Sequence, residues 1–205
     1  MGNNNKDKIR RQVDLLGIPP KEMVKKEIAR HERKDSYKKL LRGILIGLVA
    51  TVAVIIVITN TWLAVLQIDG SSMNPLLQRD EIVIAVRDDN PVPNDVIAFY
   101  RNNTLYVKRV IAVGGDTVKI DDKGNVSVNN HPLYEPYVTK KSLEQCDITF
   151  PFTVPAGTFF VLGDNRPISQ DSRDSRFGTI SREQIVGKIK FTIWPLSRFG
   201  STRSP

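Results

Sequence analysis

From Gly43 to Ile68 the chain runs for 26 residues without a charged side chain, most of them apolar, and the pattern differs on the two sides of this run. The hydrocarbon core of a bilayer takes about 20 residues of helix, so residues 43–66 are predicted to form one tilted membrane-spanning helix. Trp62 falls where the outer interface would lie. Upstream, Ile9, Val13 and Leu16 recur at helical spacing and stop at Gly17, and Pro19-Pro20 opens a second helical stretch over 21–41. Beyond Asp69 the pattern changes to short β-branched runs between turn residues, which predicts strands at 81–86, 95–100, 104–113, 117–121, 124–128, 158–162 and 186–193. Tight reversals are expected at Val113-Gly114-Gly115-Asp116 and Asp121-Asp122-Lys123-Gly124, where glycine admits positive φ. Residues 130–150, with Pro132 and Pro136, read as a long loop. The predicted fold class is mostly β: a single β-rich domain over 67–205 behind one N-terminal transmembrane helix.

Charge gives this layout a direction. Of the 205 residues, the first 42 hold 13 Lys and Arg against 6 Asp and Glu, while the remainder holds 17 against 16, so the net +8 belongs almost wholly to the arm. Positive charge flanking a span stays in the cytoplasm, which puts residues 1–42 inside and the domain from 67 onward outside the membrane. The same arm is suited to anionic lipid heads. A nucleic-acid partner is not expected, because the arm abuts a span and interleaves acids with its bases. A cleaved export signal would have an apolar core of about 7–15 residues, so the longer run is predicted to be an uncleaved anchor. Lys6 stands where myristoylation takes Ser or Thr.

Cys146 is the one cysteine, so no internal disulfide forms, and it is expected to be an inert buried thiol. The two histidines, His31 and His131, fall on opposite sides of the predicted span. That leaves too few for a serine–histidine–aspartate triad or a zinc site. Any serine chemistry needs another base.

Three segments supply candidates. Ser72 lies in Gly70-Ser71-Ser72-Met73-Asn74-Pro75, four residues beyond the uncharged run. Lysine serves as a base when desolvation brings its pKa from about 10.4 toward neutrality. In the strand 104–113, alternation puts Tyr106, Lys108, Val110 and Ala112 on one face, so Lys108 shares its face with apolar and aromatic neighbours. The third segment, Gly163 to Arg173, begins with a turn and continues with polar groups: Ser169 for a hydrogen bond to the amine, and Asp171 with Arg173 as a rigid pair. The backbone N–H groups of Gly70 and Ser72 are placed to face an oxyanion. Each segment alone has an ordinary alternative: a turn serine, a solvated strand lysine, a loop of screened ion pairs.

At these residues the chain resembles the type I signal peptidases, membrane-anchored serine–lysine proteases that remove signal peptides from exported preproteins. The likeness rests on the Gly-x-Ser-Met-x-Pro box at 70–75, the Tyr-x-Lys-Arg-Val box at 106–110 and the Gly-Asp-Asn-Arg box at 163–173, in that order after a span, and covers about residues 60–199. It implies Ser72 as nucleophile, Lys108 as general base, Ser169, Asp171 and Arg173 in support, and Met73 and Tyr106 lining the substrate pocket. It also implies preproteins with small residues one and three before the cut and no metal or organic cofactor, and the chain looks like the compact Gram-positive members. Aromatics at Phe191, Trp194 and Phe199 are expected to form an apolar patch that dips into lipid near the site.

Two departures bear on the site. Gly70 stands where some members carry a serine that joins the oxyanion hole, and Asp-Ser-Arg occurs twice, so Ser172 with Asp174 is a second register for Ser169 with Asp171. Two rival readings are weaker. A soluble self-cleaving serine–lysine repressor does not fit the span, and a non-catalytic assembly factor of the same fold does not fit the presence of both Ser72 and Lys108.

Overall fold

The computed structural model describes residues 8, 11, 17, 21–88, 90–142 and 146–202. Most of the predicted helix over 6–16 lies outside them. The chain divides into two compact units, 1–56 and 57–205. The first is dominated by helix α1, Lys21–Trp62, which continues into the second. The helical stretch expected over 21–41 and the span expected from 43 are one continuous helix, which a single glycine, Gly43, does not interrupt. Residues 21–57 are long and apolar enough to cross a membrane, and the side chains from Ile44 to Val57 are exposed.

The helix ends four residues before the predicted limit. Leu63–Gln67 forms strand β1, antiparallel to β2 (Ile82–Val86) from Leu63 opposite Val86 to Gln67 opposite Ile82. The uncharged run continues through this change, so charge patterning could not mark it; the ladder that satisfies the backbone does.

Unit two is built of antiparallel strands in two sheets. The larger contains β1, β2, β11 (Ile185–Trp194), β3 (Val96–Arg101), β4 (Thr104–Val113), β9 (Thr158–Leu162) and β10 (Ile180–Ser181) in that spatial order, with β12 (Gly200–Ser201) paired to β11. The smaller runs β7 (His131–Pro132), β6 (Val126–Val128), β5 (Thr117–Ile120), β8 (Phe152–Thr153). The seven strands predicted from β-branched runs are present within one or two residues at each end. The two-residue strands β7, β8, β10 and β12 were not predicted, since two residues carry no periodicity, and β1 was not because it lies within the uncharged run.

Three buried clusters form the core: one around Met73, Leu77, Val83 and Ala98, one around Phe99, Val110, Val161 and Phe177, and one around Ile111, Phe160 and Leu162 beneath the small sheet. A register shift between Val110 and Ala112 corrects the predicted alternation on β4. Tyr106 and Val110 pack in the second cluster, whereas Ile111 and Ala112 both pack in the third, because the bulge turns the strand between them. Lys108 lies before the bulge, so its place beside Tyr106 survives.

Candidate active site

Ser72 sits in a turn spanning 71–77, closed by the Leu77 N–H donating to the Met73 carbonyl at 3.0 Å. Met73 and Leu77 drop into the first core cluster and tie this turn to the sheet. Lys108 is on β4 opposite Ile97 of β3 and is 2 % exposed. Its Nζ lies 2.6 Å from Ser72 Oγ, donating to it. Tyr106, two residues back on the same face, has its ring centroid 6.0 Å from Nζ.

Burial sets the charge state of this lysine. Desolvation disfavours the ammonium form and brings its pKa from 10.5 down to about 8, with the Arg173 guanidinium acting in the same direction and the Asp171 and Asp164 carboxylates opposing it. A tenth or so of the molecules then carry a neutral amine at pH 7, against well under a thousandth for a free lysine. A hydroxyl hydrogen-bonded to such an amine is one that can be deprotonated as it attacks.

The 163–173 segment packs against the serine turn through contacts the sequence alone did not reveal. The Asn165 N–H donates to the Ser72 carbonyl at 2.9 Å, and Asn165 Nδ2 donates to the Ser71 carbonyl at 3.1 Å. Gly163 makes that approach possible. A Cβ there would stand 2.2 Å from Ser169 Oγ and 2.7 Å from the Ser72 carbonyl oxygen, closer than any side chain tolerates. Asp164, fully buried, receives Arg109 in a two-pronged pair, Nε to Oδ1 at 2.8 Å and Nη2 to Oδ2 at 2.6 Å. The Arg109 guanidinium also lies 3.8 Å over the Tyr137 ring and donates to Asn94. Tyr137 belongs to the stretch 130–150 that the sequence left as loop, and Glu135 of the same stretch pairs with buried Arg166. Part of that segment is therefore a floor beneath the site.

Asp171 is buried, accepts the Gly163 N–H at 3.1 Å and pairs with Arg173 Nε at 2.7 Å. Arg173 in turn donates to the Arg166 and Ser169 carbonyls. Ser169 Oγ is buried beside Gly163 and makes no hydrogen bond among the described residues, so the anticipated bond to Lys108 is not formed here. In the second register the hydroxyl of Ser172 accepts from Val161 N–H and donates to the Gly178 carbonyl, and Asp174 pairs with exposed Arg176. That register is occupied in holding its own loop.

A cleft of about 760 Å³ opens over the pair. One wall is 67–73, another 103–108, and Ile168 with Gln170 enter from the third segment. Met73 and Tyr106 line it, although Met73 is largely turned into the core. The N–H groups of Gly70 and Ser72 make no hydrogen bond among the described residues. No atom comes within 4 Å of where a Gly70 side chain would begin, so that position offers backbone donors only.

The chain is similar to known proteins over most of its length. The family model described as signal peptidase, peptidase S26, matches residues 41–194. Signal peptidase IB of Staphylococcus aureus is 34 % identical over 188 residues, covering 82 % of this chain and 97 % of that protein. Signal peptidase I of Bacillus caldolyticus is 38 % identical over 149 residues, 64 % of this chain and 80 % of that protein. A crystal structure of a signal peptidase I from Enterococcus faecalis aligns over 48 % of this chain and 96 % of that one, at 34 % identity and a TM-score of 0.41. With most of its length matched by the family model and by relatives above 30 % identity, this chain belongs to the signal peptidase family, peptidase S26.

Proposed function

We propose that this chain is a membrane-anchored signal peptidase I that cleaves signal peptides from exported preproteins at the outer membrane face, with Ser72 as nucleophile and Lys108 as general base. The observation that carries this reading is the 2.6 Å contact between Ser72 Oγ and a buried lysine whose pKa lies near 8. With the amine neutral, the hydroxyl donates to Nζ. Lys108 takes the proton as Oγ attacks the scissile carbonyl, and the negative charge on the carbonyl oxygen falls to the backbone N–H groups of Ser72 and Gly70. The ammonium gives its proton to the leaving amine as the C–N bond breaks. Lys108, neutral again, activates the water that hydrolyses the acyl-enzyme and returns Ser72 to its starting state.

Ser169 fits a supporting role, since its buried hydroxyl has no hydrogen-bond partner among the described residues and stands beside Gly163, next to the Ser72 carbonyl. Asp171 and Arg173 hold the segment that carries it. The basic arm over 1–42 favours a cytoplasmic N-terminus, with the span over 43–62 and the β domain outside. The test is proteolysis of a purified preprotein by the full-length chain in detergent, with mass spectrometry of the products. A single cut after small residues at the first and third positions before it, blocked by a large residue at the first, supports the reading. Random cuts, or none by a folded chain, defeat it.

A further inference from the structure

Arg198 belongs to a short 3-10 turn, Leu196–Arg198, that follows β11, 126 positions along the chain from Ser72, yet it holds the serine loop at two places. Its Nη2 donates to the carbonyls of Pro75 at 3.2 Å and Leu76 at 2.8 Å. These carbonyls end the turn that begins at Ser72, where the next N–H groups no longer supply partners, and the two N–H bonds of Arg198 Nη2 satisfy both while Nε faces Glu81. Its Nε lies 2.6 Å from Glu81 Oε1. Glu81 is 1 % exposed, and neither carboxylate oxygen has a well-formed hydrogen bond among the described residues, so the Arg198 charge is what offsets the buried anion. Glu81 also closes the base of the loop: its carbonyl accepts the Ile68 N–H at 2.8 Å, and the Asp80 N–H donates to the Ile68 carbonyl at 2.7 Å. One side chain from outside the loop thus touches both its active turn and its neck. Asn165 holds the opposite side at the Ser71 and Ser72 carbonyls.

We propose that Arg198 is a positioning residue for the reaction: it braces the 68–81 loop so that Ser72 Oγ stays in reach of Lys108. This rests on the serine–lysine reading above and adds a residue outside the three boxes that carry it. Lysine at this position keeps the charge beside Glu81 but has no fork to hold two carbonyls as well. Removing both charges together, as Glu81→Gln with Arg198→Met, leaves no unpaired buried carboxylate and tests the brace apart from the ion pair.

The experiment compares the full-length chain in detergent with Arg198→Lys and with the double variant, measuring thermal stability, hydrogen exchange over 71–77, and kcat and KM on a preprotein. The brace predicts near-normal stability in Arg198→Lys, faster exchange over 71–77 with β4 unchanged, and kcat lowered on the order of 10- to 100-fold at constant KM. It also predicts that the acidic limb of the pH profile stays in place, because Lys108 keeps its surroundings. Unchanged exchange over 71–77 in both variants overturns the brace, and so does full-rate cleavage by the folded double variant or a loss confined to KM. If the unmodified chain cleaves nothing, the reading of function fails on its own, and the exchange measurement still decides whether Arg198 holds the loop.

Discussion

Lys108 Nζ and Ser72 Oγ meet at 2.6 Å across 36 residues of sequence, one on the interior strand β4 and the other on a turn pinned to the core by Met73 and Leu77. Burial in the sheet fixes the lysine, and the carbonyl contacts from Asn165 and Arg198 fix the serine.

The rate should follow the free amine. With the Lys108 pKa near 8, kcat/KM is expected to rise about tenfold per pH unit up to about pH 8 and level off above it. A pH series on one preprotein checks this, and a limb still rising at pH 10 would mean a lysine in water.

Stability should move with pH for the same reason. The folded pKa lies below the unfolded one, so the unfolded chain binds more protons between about 8 and 10.5, and the buried ammonium destabilises the fold fully below that window and not at all above it. The shift is worth about 3 kcal/mol. Lys108→Met lacks this dependence, so its stability relative to the unmodified chain should fall by about 3 kcal/mol as pH rises through the window. Denaturant titrations at pH 7.5 and 10.8 measure the difference.

How much of this was legible beforehand depended on the range of the interaction. The long strands announced themselves through β-branched runs, and the lysine's face followed from alternation because β4 is regular up to Val110. Ser72, Lys108, Ser169 and Asp171 stood out through their boxes. The contacts that place them were hidden because they join residues far apart: Asn165 to Ser71, Arg109 to Tyr137, Arg198 to Leu76. The helix-to-strand change at Trp62 was hidden for a different reason, since an apolar segment satisfies either pattern.

Gly163→Ala should all but abolish cleavage while leaving the sheet intact. The added methyl meets both Ser169 and the Ser72 carbonyl, so either the serine turn or the supporting segment must shift. A displacement near 1 Å costs on the order of 100-fold in rate. Kinetics beside a circular dichroism melt would separate this local effect from unfolding.

Trp194, Leu196 and Phe199 are 53, 73 and 67 % exposed on neighbouring residues at the end of β11, a concentration of apolar surface that lipid would cover. In the portion 63–205, where Trp194 is the one tryptophan, emission is expected to shift to shorter wavelength on addition of lipid vesicles. An unmoved spectrum would place this patch in water.

The central claim is tested most directly by single-turnover cleavage of one preprotein by the full-length chain, beside Ser72→Ala and Lys108→Ala prepared identically and shown to be folded. The account predicts cleavage by the unmodified chain and its loss in both variants. Cleavage retained by folded Lys108→Ala would contradict it, because the proton of Ser72 would then have to leave by another base.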